Sequence, residues 1–177
     1  MSTLKVGAIQ SVTGSTAITI ANDGTLTLAS PPIITSPVFL SAFSNLSLSS
    51  AGVIPYSNIS IDTASAHSTS TSRYTCPKAG YYEVTFNYLL RNCTNGHRTN
   101  VRKNGVVQNV GWSGSLSDRS LVWQYSSTST EEQNVSASTI VQCVVNDILD
   151  VHLYYIGSGD VYGGNNVHNQ LTIKLLS

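Results

Sequence analysis

The chain has 177 residues, with nine Lys or Arg against nine Asp or Glu and 41% hydrophobic residues. Zero net charge excludes the basic surface that neutralises phosphates in nucleic-acid binders, and it excludes disorder, which pairs low hydrophobicity with high net charge. Only 10% of residues are charged, against about 25% in ordinary soluble domains, so the polar surface is left to Ser, Thr, Asn and Gly, as on an all-β exterior.

The opening MSTLKVGAIQ lacks the apolar core of a signal peptide. No segment approaches the ~20 apolar residues of a membrane span. Residues 1–30 read as a small β-meander. Leu4 to Val12 is extended, Thr13-Gly14-Ser15 turns, and AITIANDGTLTL is a hairpin. A two-residue Asp23-Gly24 loop sets Ile18 and Ile20 opposite in face to Leu26 and Leu28. A three-residue Asn22-Asp23-Gly24 loop pairs Ile20 with Leu26 and Ile18 with Leu28, which unites the apolar residues and is preferred. Such a meander cannot stand alone in water, so Ile18, Ile20, Leu26 and Leu28 must meet a partner surface or symmetry mates. Residues 31–37 hold three prolines and form an extended linker.

Residues 38–177 show strand after strand and no helical period. Val38-Phe39-Leu40 and the stretch from Leu46 to Ile61 supply the first strands, and 64–72 is a polar loop. The longest strand follows the turn at Pro77-Lys78-Ala79-Gly80. In it Tyr82, Val84, Phe86, Tyr88 and Leu90 share one face, and Tyr81, Glu83, Thr85, Asn87 and Leu89 the other. Asn104-Gly105 is a hairpin signal, and the neighbouring Arg98, Arg102 and Lys103 read as its solvated rim. In the strand from Ala137 to Asn146, Val141, Cys143 and Val145 lie on one face, with Ile140 and Val144 on the other. Two apolar faces imply that the outer one is also covered. A glycine-rich stretch at 157–164, which reads as a flexible connection or as a loop offering Tyr162 to a glycan or receptor, and a last strand carrying Leu171, Ile173 and Leu175 complete an all-β, antiparallel jelly-roll sandwich. Cys76, Cys93 and Cys143 are odd in number and not at metal-ligand spacing; they read as reduced core thiols, with one pairing left open.

The run Arg73 to Tyr82 (RYTCPKAGYY), the Val101 to Gly105 hairpin, the Ser138 to Leu153 strand-turn-strand and the final strand resemble, in that order, landmarks of the globular heads of complement component 1q, relatives of the tumour necrosis factor jelly roll. Asn146 stands where that family usually has Gly, and no collagen stalk is present. The resemblance implies a homotrimer about a threefold axis, with Ile140, Val144, Thr172 and Lys174 facing the axis. The segment from Leu4 to Leu28 is similar to the openings of many tailed-phage virion proteins.

Little in the sequence supports catalysis. His67, His97, His152 and His168 are scattered, and Gly111-Trp112-Ser113-Gly114-Ser115 only approximates a nucleophile elbow. Asp147, Asp150 and Asp160 could offer calcium ligands but match no calcium-loop spacing, so they read as turn and surface carboxylates. Trp123 alternates with Leu121 and Tyr125 and reads as core. The expectation is a non-enzyme without metal or cofactor and without a nucleic-acid or membrane partner. An anchor and a head with no shaft suggest a trimeric capsid decoration (cement) protein, made in the host cytoplasm and placed on the capsid exterior. Its anchor, with Ile18, Ile20, Leu26 and Leu28 facing the capsid, would bind the major capsid protein. The alternative is a tail-fibre tip that recognises a host surface glycan or protein through its loops.

Overall fold

The structure, a computed structural model, describes residues 37–94, 96–108, 132–164 and 168–176, and the backbone alone of 8–10, 16–20, 26–28 and 122–124. The chain divides into two units, Met1–Ser36 and Pro37–Ser177. In the first, β1 (Ala8–Gln10), β2 (Thr16–Ile20) and β3 (Leu26–Leu28) form an antiparallel sheet in that order. Ile18 pairs with Leu28 and Ile20 with Leu26, the register that a three-residue connection requires. Pro37 already belongs to the second unit: the Thr63 hydroxyl donates to its carbonyl at 2.6 Å.

The second unit is a jelly roll of two antiparallel sheets. Its strands are β4 (Phe39–Ser44), β5 (Gly52–Val53), β6 (Asn58–Asp62), β7 (His67–Ser68), β8 (Arg73–Thr75), β9 (Gly80–Arg91), β10 (His97–Lys103), β11 (Val106–Val107), β12 (Val122–Gln124), β13 (Gln133–Cys143), β14 (Ile148–Ile156), β15 (Asp160–Val161) and β16 (Asn169–Leu175). One sheet runs β13-β9-β16-β4-β6, with β15 also on β9. The other runs β11-β10-β14-β8-β7, with β12 on β10 and β5 on β14. The described residues contain no helix.

β9 is the spine of the first sheet because its period-two pattern supplies an unbroken apolar face. Tyr82, Val84, Phe86, Tyr88 and Leu90 are all buried, each contributing roughly 2 kcal/mol. They meet Leu149, Val151, Leu153 and Val101 from the second sheet in one core. The two buried tyrosines of β9 keep polar partners: Tyr82 donates to the Lys78 carbonyl at 2.8 Å, and the Tyr88 hydroxyl bonds that of Thr99. Alternation assigns Leu89 to the outer face, yet it too is buried. Its amide donates to Asn169 Oδ1 at 3.1 Å and its carbonyl accepts from the Tyr162 amide at 2.8 Å, so a neighbouring segment is docked on this end of the strand.

Three further expectations need correction. β13 stops at Cys143, so Val145 is not on the core face. It is 52% exposed in a tight turn, where Asn146 adopts φ 70°. Asparagine tolerates that left-handed conformation better than most residues, so it can stand where the family usually has glycine. Second, 157–164 is not a loose connection. A Cβ on Gly159 (φ 84°) would lie 2.2 Å from the Arg91 carbonyl oxygen, and one on Gly163 2.2 Å from the Leu46 carbonyl carbon; these glycines serve close backbone approach. Third, the polar 64–72 stretch contains β7 and is organised by Asp62, whose carboxylate accepts from the amides of Ala64, Ala66 and His67. The Asn104-Gly105 turn is as expected: both residues have positive φ and close a two-residue hairpin between Lys103 and Val106.

Candidate functional site

Three of the four residues expected at a threefold axis lie on one surface, the face of the β13-β9-β16-β4-β6 sheet turned away from the core. Cross-strand pairing arranges this face in rows. Ile140 lies opposite Glu83, Glu83 opposite Lys174, and Lys174 opposite Phe39. In the next row Ser138, Thr85, Thr172 and Ser41 are neighbours, followed by Ile61 on the edge strand. Ile140 is 54% exposed and Ile61 50%. Val144 lies beyond the end of β13 and begins the turn, 63% exposed, so its place follows from the turn rather than from strand parity.

The same face includes Tyr81, 48% exposed, opposite Gln142. Tyr81 was legible, because alternation puts it opposite Tyr82. Ile61 was not, because its neighbourhood depends on β6 pairing with β4. Towards the other end the face turns polar: Thr85, Asn87, Asn134, Ser136, Gln170 and Thr172 line an open hollow of about 300 Å³. The face is thus graded, with bulky apolar groups at one end and amides and hydroxyls at the other. Of β13's outward residues only Ile140 is apolar; Asn134, Ser136, Ser138 and Gln142 are not.

Ion pairs gather around β10 and β14 of the second sheet, with one more where β15 meets β9 of the first. Asp150 on β14 is buried and receives two hydrogen bonds from Arg102, at 2.7 Å from Nε and 2.9 Å from Nη2. Arg73 Nε lies 3.4 Å from the same carboxylate. Asp147 accepts from the Val144 amide and from Asn104 Nδ2, with Lys103 Nζ at 3.8 Å. Those two hydrogen bonds hold its carboxyl below the usual range, and Lys103 adds to them. Asp160 pairs with Arg91 at 3.1 Å. Arg102 is therefore not a solvated rim residue as read from sequence, and Asp150 is not a surface carboxylate. The Arg91 guanidinium also sits 4.1 Å from the centre of the Tyr162 ring, a cation–π contact that occupies one face of the aromatic group in the glycine-rich loop.

The histidines serve separate environments. His67 Nε2 donates to the Tyr56 carbonyl at 2.8 Å. His97 is buried edge-on to Tyr88, and its Nε2 has no partner among the described residues. His152 lies on the outer face of β14, opposite Asn100; burial first, then the nearby Arg102, lowers its pKa. The elbow-like stretch 111–115 and the side chain of Trp123 lie outside the described residues, as do the side chains of Ile18, Ile20, Leu26 and Leu28.

Burial lowers the His97 pKa from 6.5 to about 4, so the folded chain keeps it neutral while the unfolded chain protonates it. Its contribution to stability is intact above pH 6.5 and is lost as pH falls towards 4. Urea midpoints should drop over that window by an equivalent on the order of 2 kcal/mol. The slope should flatten in His97→Phe; superimposable profiles for the two proteins would refute this.

Two facing antiparallel sheets with a buried aromatic and aliphatic core define a jelly-roll domain. No family model matches the chain, and no curated protein does. Solved structures match the fold. The globular domain of zebrafish complement 1qA protein is similar over 80% of this chain and 98% of its own, at 13% identity and a TM-score of 0.55. The Eiger TNF of S. frugiperda matches over 80% and 93%, at 12% identity and 0.57. Murine APRIL at pH 5.0 matches over 80% and 100%, at 10% identity and 0.56. The fold is thus that of the complement 1q and tumour necrosis factor jelly rolls.

Proposed function

We propose that this protein is a non-enzymatic structural component of a tailed-phage virion, a homotrimer that decorates the outside of the icosahedral shell and stabilises it. The observation that carries the reading is the graded sheet face, where Ile140, Tyr81 and Ile61 are exposed on a single chain and would be covered by neighbouring copies about a threefold axis. Stable contacts of this kind bury on the order of 800 Å² per partner. The separate Met1–Ser36 unit supplies the anchor to the major capsid protein. The likeness of residues 4–28 to virion-protein openings supports the placement. Affinity for the shell would come from apolar burial and strand pairing, since the chain carries no net charge. No cofactor or metal enters this role.

The test is the number of copies per purified particle, by quantitative mass spectrometry. Copies in fixed proportion to the shell protein support decoration. A handful per particle would move the protein to the tail, as a fibre tip binding host glycan or protein. Absence from particles would end both virion readings.

A further inference from the structure

Cys76 and Cys143 stand apart from the surfaces above. Cys76 directly follows β8, at the point where the chain crosses from one sheet to the other. Cys143 is the last residue of β13 and pairs with Gly80 on β9. The two thiols therefore belong to opposite sheets. The backbone of Cys76 is docked on the turn that begins after Cys143: its amide donates to the Asp147 carbonyl at 2.7 Å, and its carbonyl accepts from the Asn146 amide at 2.9 Å. Both side chains are buried in the same core, at 0% and 2% exposure. Each thiol is the leading influence on the other, pushing that of Cys76 up and holding that of Cys143 down, and the Cys143 thiol itself points to the Val141 carbonyl at 3.9 Å. Cys93 is different: its thiol donates to the Gly96 carbonyl.

We propose that Cys76 and Cys143 are a redox-responsive staple between the two sheets, a dithiol that converts to an intramolecular disulfide by exchange with a small-molecule disulfide of the glutathione type. The site is built for a defined order of attack. The neighbouring Cys76 thiol favours the thiolate of Cys143 over its own, against the opposing effects of burial and Asp147 and with help from Lys103. The Cys143 thiolate attacks one sulfur of the oxidant. The sulfur–sulfur bond breaks, one small thiolate leaves and takes up a proton, and a mixed disulfide remains. Cys76 then releases its proton to solvent and attacks the Cys143 sulfur, expelling the second small thiolate. Two protein thiols are oxidised as one external disulfide is reduced to two thiols. The exposed Val144-Val145-Asn146 turn directly follows Cys143, and entry of the oxidant requires local opening at this turn.

The experiment incubates the full chain with dithiothreitol or with oxidised glutathione, then acid-quenches, denatures, alkylates with N-ethylmaleimide and maps peptides by mass. The reduced protein should take three maleimides, one for each of its three cysteines. The oxidised protein should take one, on Cys93, and yield a Cys76–Cys143 crosslinked peptide. Its melting temperature should rise by roughly 5 °C, because the crosslink closes a long loop in the unfolded chain. Cys76→Ser should accumulate a glutathione adduct on Cys143, whereas Cys143→Ser should leave Cys76 unmodified. Three maleimides after oxidation, a persistent adduct in the unmutated chain, or a crosslink involving Cys93 would each overturn the proposal.

Discussion

Replacing Arg102 with alanine is expected to cost the jelly roll about 3 kcal/mol, the largest single loss anticipated for a residue outside the apolar core. The Asp150 side chain is only 3% exposed, and Arg102 holds both of its oxygens from a position itself 17% exposed. Removing Arg102 strands a buried carboxylate beside Arg73, which is 48% exposed and 3.4 Å away, too hydrated to replace it. An exposed pair of the same composition would be worth less than about 1 kcal/mol, so the magnitude decides between the two descriptions. Urea unfolding of Arg102→Ala, Arg73→Ala and the Arg102→Met/Asp150→Leu double variant separates them. The double variant should recover most of the loss, because it removes the buried charge together with its partner. A loss below about 1 kcal/mol for Arg102→Ala would return this residue to the solvated rim that its sequence context suggests.

Ile140→Asp is expected to abolish self-association while leaving the fold intact. The side chain is 54% exposed on one chain, so the substitution leaves the core untouched. Its strand partner is Glu83, and an aspartate there sets like charges directly opposite each other. That pairing is the same in monomer and trimer; what opposes assembly is that each copy would bury an unpaired charge, which costs several kcal/mol. The dissociation constant should rise at least about 100-fold, which corresponds to about 2.7 kcal/mol. Light scattering should change from three chain masses to one, while a cooperative melting transition shows that the fold is kept. Val106→Asp is the control: Val106 is slightly more exposed, at 61%, but lies on the other sheet and should leave the mass unaltered. If the unsubstituted protein itself runs as one chain mass, the trimer reading fails at the first step.

The site was partly legible because period-two alternation carries face information by itself. It put Tyr82, Val84, Phe86, Tyr88 and Leu90 in the core, and it put Ile140, Thr172 and Lys174 on the outer face of their strands. Alternation fails where a strand ends or a neighbouring segment covers the outside. Val145 reads as core but turns outward after Cys143, because the Asp147 carboxylate captures the Val144 amide and closes the turn. Leu89 reads as outward but is buried where Asn169 and Tyr162 bond its backbone. Glycine content misled in the same way: Gly159 and Gly163 signalled looseness, yet they mark places where two backbones touch.

What the sequence determined by itself was local and periodic: strand identity, the inward row of β9, the Asn104-Gly105 turn and the hairpin register of Ile18 and Ile20. Each depends on residues within one strand or one turn, where the physics of alternation and left-handed conformers acts directly. The tertiary structure alone decided what depends on strands distant in sequence. It set Arg102 and Arg73 against Asp150, and it placed Ile61 on the Ile140 face. It also brought Cys76 to Cys143 across the two sheets. These meetings are fixed by strand order and by which sheet each strand joins, and residue pattern does not encode either because any two β-strands of matching period can pair.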